Sequence, residues 1–334
     1  MGVFTGTVTP SLCHYVQTFR VQQDRLFAQD TEMEFTEQFF ISLGAAVVLY
    51  YGIKLLFFSR ILFPKVCFPI SETFFTSMGE WAVVTGASEG IGRAYAFALA
   101  ERGMNIVIMS RTKSTLDQVA KEISNSTGQK VRVIIADFTD ENIFSEIEEQ
   151  LKDLCVGILV NNVGILPSFI PYRFLESEDL DQMCRMILPQ MDKRRKGVIV
   201  NISSGIASVP FPLYTLYAAS KIFVERFSQG LQAEYENRGI LIQAVAPFGV
   251  CTRMAGYQPP NRVTFLPEDF VKNSLQYLRA GNKTHGSICH IVLGWILQCI
   301  PLKVLHSDSL LQGMQNYVKK TTQPAASGTS FKEP

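Results

Sequence analysis

The sequence predicts an α/β fold: a doubly wound parallel sheet in one domain, preceded by an N-terminal membrane anchor. Two observations predict it. From residue 80 onward, six apolar runs of five or six residues alternate with stretches of helical length, a pattern typical of parallel strands joined by helices. Ahead of them, residues 39–58 form a run that is apolar apart from Ser42 and Lys54, and about 20 apolar residues cross a bilayer as a helix.

The composition limits the classes of partner and cofactor. With 334 residues, 47% of them hydrophobic, the chain can bury a large core. A net charge of +1 with 18% charged residues gives no electrostatic basis for a nucleic-acid partner. The seven cysteines show no CxxC spacing and the four histidines no HExxH pattern, so neither a disulfide framework nor a metal site is predicted.

The N-terminal region divides into an arm and an anchor. Residues 1–38 are polar and aperiodic, which predicts a flexible arm. The run 39–58 lacks the basic start of a removable signal peptide. Because Lys54, Arg60 and Lys65 lie within or after it, the positive-inside rule favours a cytosolic domain downstream. A buried helix of a soluble protein is the alternative, since Lys54 is unfavourable inside lipid.

The elements of the domain follow from continuous apolar runs, which are typical of strands buried on both faces. The predicted strands are 81–85, 105–110, 131–136, 157–161, 197–202 and 241–246, and the predicted helices lie near 91–102, 114–126, 141–153, 178–194 and 216–238. Residues 290–305, broken by Pro301, predict a core or interfacial helix. Residues 321–334 predict a disordered tail.

A glycine-rich turn follows the first strand, in the sequence TGASEGIG at 85–92. Glycines allow a tight turn and close approach of a pyrophosphate, and the helix that begins there supplies positive potential. An ordinary turn is the alternative. Because the glycine-rich turn lies between the first strand and the first helix, the sequence instead predicts a Rossmann-type dinucleotide site. The residues expected to hold the cofactor here are Gly86, Ser88, Gly90, Ile91 and Gly92.

The end of the second strand indicates which dinucleotide is bound. An acid at this place hydrogen-bonds the 2′-hydroxyl of NADH, whereas an arginine accommodates the 2′-phosphate of NADPH. The sequence has Ser110 and Arg111 here and no acid within 109–113. NADPH is therefore favoured, with an ordinary solvated arginine as the alternative.

A serine, a tyrosine and a lysine follow the fifth predicted strand with informative spacing. Ser204 lies just beyond the strand, Tyr217 follows thirteen residues later, and Lys221 is four residues further on. Residues four apart share one helix face. An ammonium beside the phenol is expected to lower the phenol pKa from about 10 and make a usable proton donor. Ser204 would hold the substrate carbonyl.

The ordered set of motifs in this sequence resembles the short-chain dehydrogenase/reductase family. The motifs are TGASEGIG, NNVG at 161–164, ISSG, YAASK and a proline after the last apolar strand. The resemblance covers residues 78–320 and implies a single catalytic domain. It implies that Tyr217 is the general acid, that Lys221 contacts the nicotinamide ribose and that Ser204 contacts the carbonyl. The further cofactor residues it implies are Asp137 near the adenine, Asn161 and Gly164 on the cofactor floor, and Pro247 and Thr252 after the last strand.

An apolar anchor followed by these motifs is similar to the membrane-bound 17-beta-hydroxysteroid dehydrogenases. The resemblance implies NADPH-dependent reduction of a 17-ketosteroid, androstenedione to testosterone, at the cytosolic face of the endoplasmic reticulum membrane. The implied partners are a steroid or other lipid ketone and the membrane, and a homodimer is left open. The alternative is reduction of a very-long-chain 3-oxoacyl-CoA, whose phosphates need a basic patch such as residues 193–196. The ILP at 165–167 and the lack of a terminal dilysine favour the steroid.

One segment departs from the family pattern. The helix between NNVG and ISSG normally carries an asparagine that supports a proton relay to the lysine, but no Asn lies between Asn162 and Asn201 here. Roughly four helical turns, about 15 residues, are missing where Gln182 runs into Met183. We therefore expect low or no activity. This leaves a further alternative, a non-catalytic isoform that binds NADPH.

Overall fold

A computed structural model of the chain describes residues 10–140, 142–163, 179–255, 258–313 and 316. The chain divides into two compact units, Met1–Leu62 and Phe63–Pro334. The predicted tail 321–334 lies outside the described residues.

The first unit contains one long helix, α1 (Pro10–Leu62). Its segment Glu34–Leu62 is long and apolar enough to cross a membrane, and the described part of the chain buries none of its most apolar 18-residue stretch. The apolar run 39–58 lies inside this segment. The predicted arm 1–38 differs from the structure, because the helix already begins at Pro10. Residues 11–43 contain neither glycine nor proline, so no residue interrupts a helix that extends toward the N-terminus from the apolar run.

The second unit is built on a seven-stranded sheet in which every pair of neighbours is parallel. The order across the sheet is β3-β2-β1-β4-β5-β6-β9. A separate pair of two-residue strands, β7 and β8, follows β6 in the chain. The strands are β1 (Trp81–Thr85), β2 (Asn105–Ser110), β3 (Val131–Ile135), β4 (Val156–Asn161), β5 (Gly197–Ile202), β6 (Ile240–Val245), β7 (Gly249–Val250), β8 (Thr264–Phe265) and β9 (Lys283–Thr284).

Helices cover both faces of this sheet. One hydrophobic cluster joins alternate strand residues to α4, α5 and α9, and a second joins the opposite residues to α6, α7 and α8. The predicted doubly wound α/β class is therefore confirmed. The helices are α2 (Pro64–Cys67), α3 (Phe74–Met78), α4 (Gly90–Ala100), α5 (Lys113–Thr127), α6 (Ile143–Leu151), α7 (Asp179–Arg194), α8 (Thr215–Tyr235), α9 (Pro267–Ser274), α10 (Ile288–Cys299) and α11 (Leu302–Leu305).

Two elements bear on the sequence expectations. α7 connects to β5 and buries Met183, Ile187 and Met191 against the sheet, so the shortened segment still supplies a helix over this face. The predicted C-terminal helix is divided into α10 and α11, with Pro301 between them. Proline lacks the amide hydrogen that a continuous helix needs at this point.

Candidate active site

A cleft of about 660 Å³ opens at the carboxyl ends of the strands. The strand order reverses at this place, because β2 and β3 lie on one side of β1 and β4 lies on the other side. Ligands usually bind at this position in open parallel sheets. Most of the predicted site residues line it. Those in the lining are Gly86, Ser88, Gly90, Ile91, Arg111, Asp137, Ser204, Tyr217, Lys221, Pro247 and Thr252.

The glycine turn packs too closely for side chains. Gly86 and Gly90 have φ values of +64° and +59°, a region that L-residues rarely adopt. A Cβ on Gly92 would collide with the backbone oxygen of Gly86. Asn162, at the end of β4, donates from Nδ2 to Gly86 O at 3.2 Å. The turn is thereby held against the sheet, and its backbone is open to a ligand in the cleft.

The end of β2 is tied to the glycine turn through two hydroxyls, since Ser110 Oγ donates to Ser88 Oγ at 3.1 Å. Arg111 follows and lines the same end of the cleft. Hydrogen bonds from the amide and the hydroxyl of Thr139 hold the pKa of the Asp137 carboxyl below its usual range, and the charge of Arg111 lowers it further. This end of the cleft therefore presents a cation and a carboxylate side by side.

Lys221 is buried in the floor of the cleft and is 7% exposed. Its Nζ donates to Ile202 O, at the end of β5, over 3.0 Å. Burial lowers the pKa of Lys221 to about 8, because an ammonium out of water loses its hydration. The same Nζ lies 5.8 Å from the centroid of the Tyr217 ring.

Burial raises the pKa of Tyr217, and the hydroxyl of Ser204 offsets only part of the rise. The sequence predicted the opposite direction, a pKa lowered by Lys221. The physical reason for the difference is that the phenol is more strongly affected by its own desolvation than by an ammonium that is directed at Ile202 O.

A second layer of contacts holds α8 against the sheet behind Lys221. Ser203 Oγ donates to Lys221 O at 2.8 Å and lies 3.3 Å from Glu225 Oε1. Glu225 is 2% exposed and forms an ion pair with Lys283 at 2.7 Å. These contacts fix the helix turn that carries Tyr217 and Lys221.

Not every predicted residue reaches the cleft. Asn161 is buried and donates to Asn201 Oδ1 at 2.9 Å, and Asn201 in turn donates to Ser228 Oγ at 2.9 Å. Asn161 therefore links β4, β5 and α8 below the cleft. Gly92 acts by packing, as described above, and Gly164 lies outside the described residues.

The cleft also contains residues that the sequence did not single out. These include Glu89, Tyr214, Phe248, Arg253 and Met254. Glu89 and Arg253 stand beside motif residues, but the ion pair between them joins positions 164 residues apart. No spacing rule reports such a pair, so sequence alone could not have found it.

A family model of short chain dehydrogenases matches residues 80–262. The 17-beta-hydroxysteroid dehydrogenase type 3 of Danio rerio is 52% identical and covers 86% of this chain and 98% of its own. The very-long-chain 3-oxoacyl-CoA reductase of Anas platyrhynchos is 43% identical and covers 67% of this chain and 77% of its own. A short-chain dehydrogenase from Sphingobium yanoikuyae, solved with NADPH, is 27% identical with a TM-score of 0.58 and covers 75% of this chain and 99% of its own.

The alignment with the Danio rerio relative is longer than the stretch of this chain that it covers. It spans 302 positions, whereas 86% of 334 residues is about 287. About 15 positions therefore have no counterpart in this chain. This number agrees with the roughly 15 residues expected to be missing beside Gln182.

Proposed function

Because the chain belongs to the short-chain dehydrogenase family, we propose that it is an NADPH-dependent reductase of a 17-ketosteroid, with androstenedione as substrate and testosterone as product. One observation carries the reductase assignment. Ser204, Tyr217 and Lys221 meet in a single cleft beside the glycine turn, with Lys221 anchored on Ile202 O at 3.0 Å.

The residues of the cleft fit a phosphorylated dinucleotide. Gly86 and Gly90 line the cleft with positive φ values, and a Cβ on Gly90 would crowd Thr252 in the same lining. This turn without side chains supports a backbone cradle for a pyrophosphate, at which α4 directs its N-terminus. Arg111 is placed to accept a 2′-phosphate. Bound there, NADPH supplies a hydride to the carbonyl carbon.

The chain's own side chains perform the proton chemistry. The hydroxyls of Ser204 and Tyr217 hold the ketone oxygen, and Tyr217 donates its proton to that oxygen as the alcohol forms. The raised pKa of Tyr217 keeps the phenol protonated at neutral pH, as an acid must be. Lys221 would contact the cofactor ribose and position it.

The choice of substrate rests on the relatives and on the position of the basic run 193–196. The type 3 relative matches 98% of its length, against 77% for the acyl-CoA reductase. Arg194, within the run, donates from Nη2 to Val156 O, at the first residue of β4. This is the amino edge of the parallel sheet, and the cleft is at the carboxyl edge. The run therefore offers no support for CoA phosphates at the site, which favours the steroid.

Two alternatives remain as proposals of second rank. The relative from Anas platyrhynchos supports a very-long-chain 3-oxoacyl-CoA substrate. The gap of about 15 positions supports an isoform that binds NADPH with little or no turnover. We also propose that α1 anchors the protein in the endoplasmic reticulum membrane with the catalytic domain in the cytosol, because Arg60 and Lys65 follow the apolar segment and positive charge favours the cytosolic side. Protease protection in intact microsomes tests that orientation.

The test of the proposed function compares androstenedione with a long-chain 3-oxoacyl-CoA, each with NADPH, in the full chain and in Tyr217→Phe. Slow steroid turnover that Tyr217→Phe abolishes, with NADPH binding retained, is the expected result. Preference for the acyl-CoA would identify the second substrate class, and NADPH binding without any turnover would identify the non-catalytic isoform. Activity that survives Tyr217→Phe would contradict the proposed acid.

A further inference from the structure

α10 directs apolar side chains outward. Ile288, Trp295 and Ile296 are 40%, 61% and 46% exposed, and by the helical period they lie on one face. The helix has no charged residue in its sequence ICHIVLGWILQC. A helix of a globular domain normally buries such a face, whereas here the buried positions are His290 and Gly294.

The exposed apolar side chains continue beyond Pro301. In α11, Leu302 and Val304 are 46% and 55% exposed, and Lys303 stands between them. We call Ile288, Trp295, Ile296, Leu302 and Val304 the outer face of α10 and α11. Its apolar side chains include a tryptophan, and Lys303 adjoins them, which is a composition typical of segments that lie in a membrane interface.

The inner side of the same segment contacts the mouth of the cleft. Phe248, which lines the cleft, donates from its amide to His290 Nδ1 at 3.4 Å. His306, just after α11, hydrogen-bonds through Nε2 to Pro210 O at 3.1 Å. Pro210 belongs to the loop that connects Ser204 to Tyr217. The outer face is thus carried by a segment that borders the active site.

We propose that the outer face of α10 and α11 docks onto a lipid bilayer, so that the mouth of the cleft lies at the membrane surface. Continuity of the chain singles out this partner. The segment long and apolar enough to cross a membrane ends at Leu62, where the domain begins. Because the membrane segment continues directly into the domain, the domain stays close to the bilayer and its effective concentration there is high. A modest apolar face therefore suffices for stable contact.

Fluorescence of Trp295 in the full chain tests the docking without any enzyme assay. The protein contains two tryptophans, so Trp81→Phe leaves Trp295 alone and Trp295→Phe leaves Trp81, in β1, as the matched control. Both variants are reconstituted in phosphatidylcholine vesicles with and without brominated acyl chains. We expect brominated lipid to quench Trp295 strongly and Trp81 weakly, and iodide to reach Trp295 poorly.

Two outcomes would overturn the proposal. If iodide quenches Trp295 and brominated lipid does not, the outer face is in water. If neither quenches it and its shielding depends on protein concentration, a second copy of the chain covers the face instead.

The consequence for substrate access rests on the proposed function and has a separate test. In vesicles, Trp295→Ser combined with Ile296→Ser should raise KM severalfold for a ketone that partitions into lipid and leave kcat and the turnover of a water-soluble ketone unchanged. Ile135→Ser, in the edge strand β3 and 47% exposed, is the matched control and should change neither. Access from the membrane would be refuted if the unaltered protein, the double serine variant and Ile135→Ser had equal KM while brominated lipid quenched Trp295 in Trp81→Phe. Absence of any turnover in the unaltered protein would instead refute the proposed function.

Discussion

Arg253 Nη2 lies 2.6 Å from Glu89 Oε1, which joins the loop after β7 to the residue that precedes α4. Both residues line the cleft. The two side chains are 70% and 39% exposed, and exposed ion pairs contribute little to stability. The pair matters because a carboxylate at a helix N-terminus opposes an anion that binds there, and Arg253 neutralises it.

Arg253→Ala should weaken NADPH binding about two- to fivefold, the usual size of a charge effect at a helix N-terminus. Glu89→Gln should leave binding equal or tighter, and the double variant should bind nearly as the unaltered protein does. Titration of NADPH fluorescence at low and high salt measures all three. Arg238→Ala, which breaks the exposed pair with Asp192, is the control. If the double variant binds as weakly as Arg253→Ala, the arginine holds the cofactor itself rather than neutralising Glu89.

Lys221→Met should abolish turnover and yet stabilise the cofactor-free protein. Below pH 8 the folded and unfolded chains both carry this proton, so the cost of burying the ammonium is fully present. Between pH 8 and 10.5 the unfolded chain binds more protons than the folded one, because the folded pKa is about 8, and the cost falls as pH rises. We expect a gain of about 1–2 kcal/mol at pH 7, after the loss of the bond to Ile202 O.

Thermal melting at pH 7 and pH 10 measures this difference, with the exposed Lys272→Met as the control. The gain should be larger at pH 7 than at pH 10. A Lys221→Met protein that melts below the unaltered protein at pH 7 would show that the contacts of Lys221 outweigh its desolvation.

Gly92→Ala should eliminate NADPH binding and lower the melting temperature. Its Cβ would meet the backbone of Gly86, which cannot move without displacing the turn from Asn162. Gly230→Ala is the matched control, since no atom of the described residues lies within 4 Å of the Cβ that it would add in α8. Alanine also stabilises a helix interior by roughly 0.5–1 kcal/mol relative to glycine. Circular dichroism and NADPH titration distinguish the two. Equal NADPH affinity in both variants would show that the cradle tolerates a side chain.

Restoring the missing helix segment should restore catalysis. We expect the chain as it stands to bind NADPH but to turn over androstenedione about 10²–10⁴-fold more slowly than a version carrying the corresponding segment of the Danio rerio relative between Gln182 and Met183, the usual contribution of positioned proton transfer. An insertion of equal length made of glycine and serine controls for length alone. Equal turnover by the two proteins would refute the assignment of the defect to this segment.

The sequence was most informative where burial on both sides of the sheet leaves no choice of residue. The bounds of Trp81–Thr85, Asn105–Ser110 and Gly197–Ile202 are those predicted, because a parallel strand covered by helices must be a continuous apolar run. The approach of Lys221 to Tyr217 also followed from local geometry, a separation of one helical turn.

Sequence reasoning was weaker for the N-terminal segment and for the pKa of Tyr217. The polar composition of residues 1–38 indicated an arm, yet helix α1 continues through most of it, since helix formation depends on the absence of breakers as much as on composition. The pKa of Tyr217 depends on how deeply its phenol is buried and where Lys221 points. Neither is a property of spacing.

By itself, then, the sequence determined the α/β sheet, the glycine turn and the alignment of Tyr217 and Lys221, because each depends on local periodicity or on a backbone that only glycine permits. The tertiary structure alone decided that Arg253 neutralises the residue beside that turn, that Asn161 lies below the cleft, and that α10 faces outward with Trp295 exposed. These features join residues that are distant in the chain, and only folding determines which face of each element meets its neighbour.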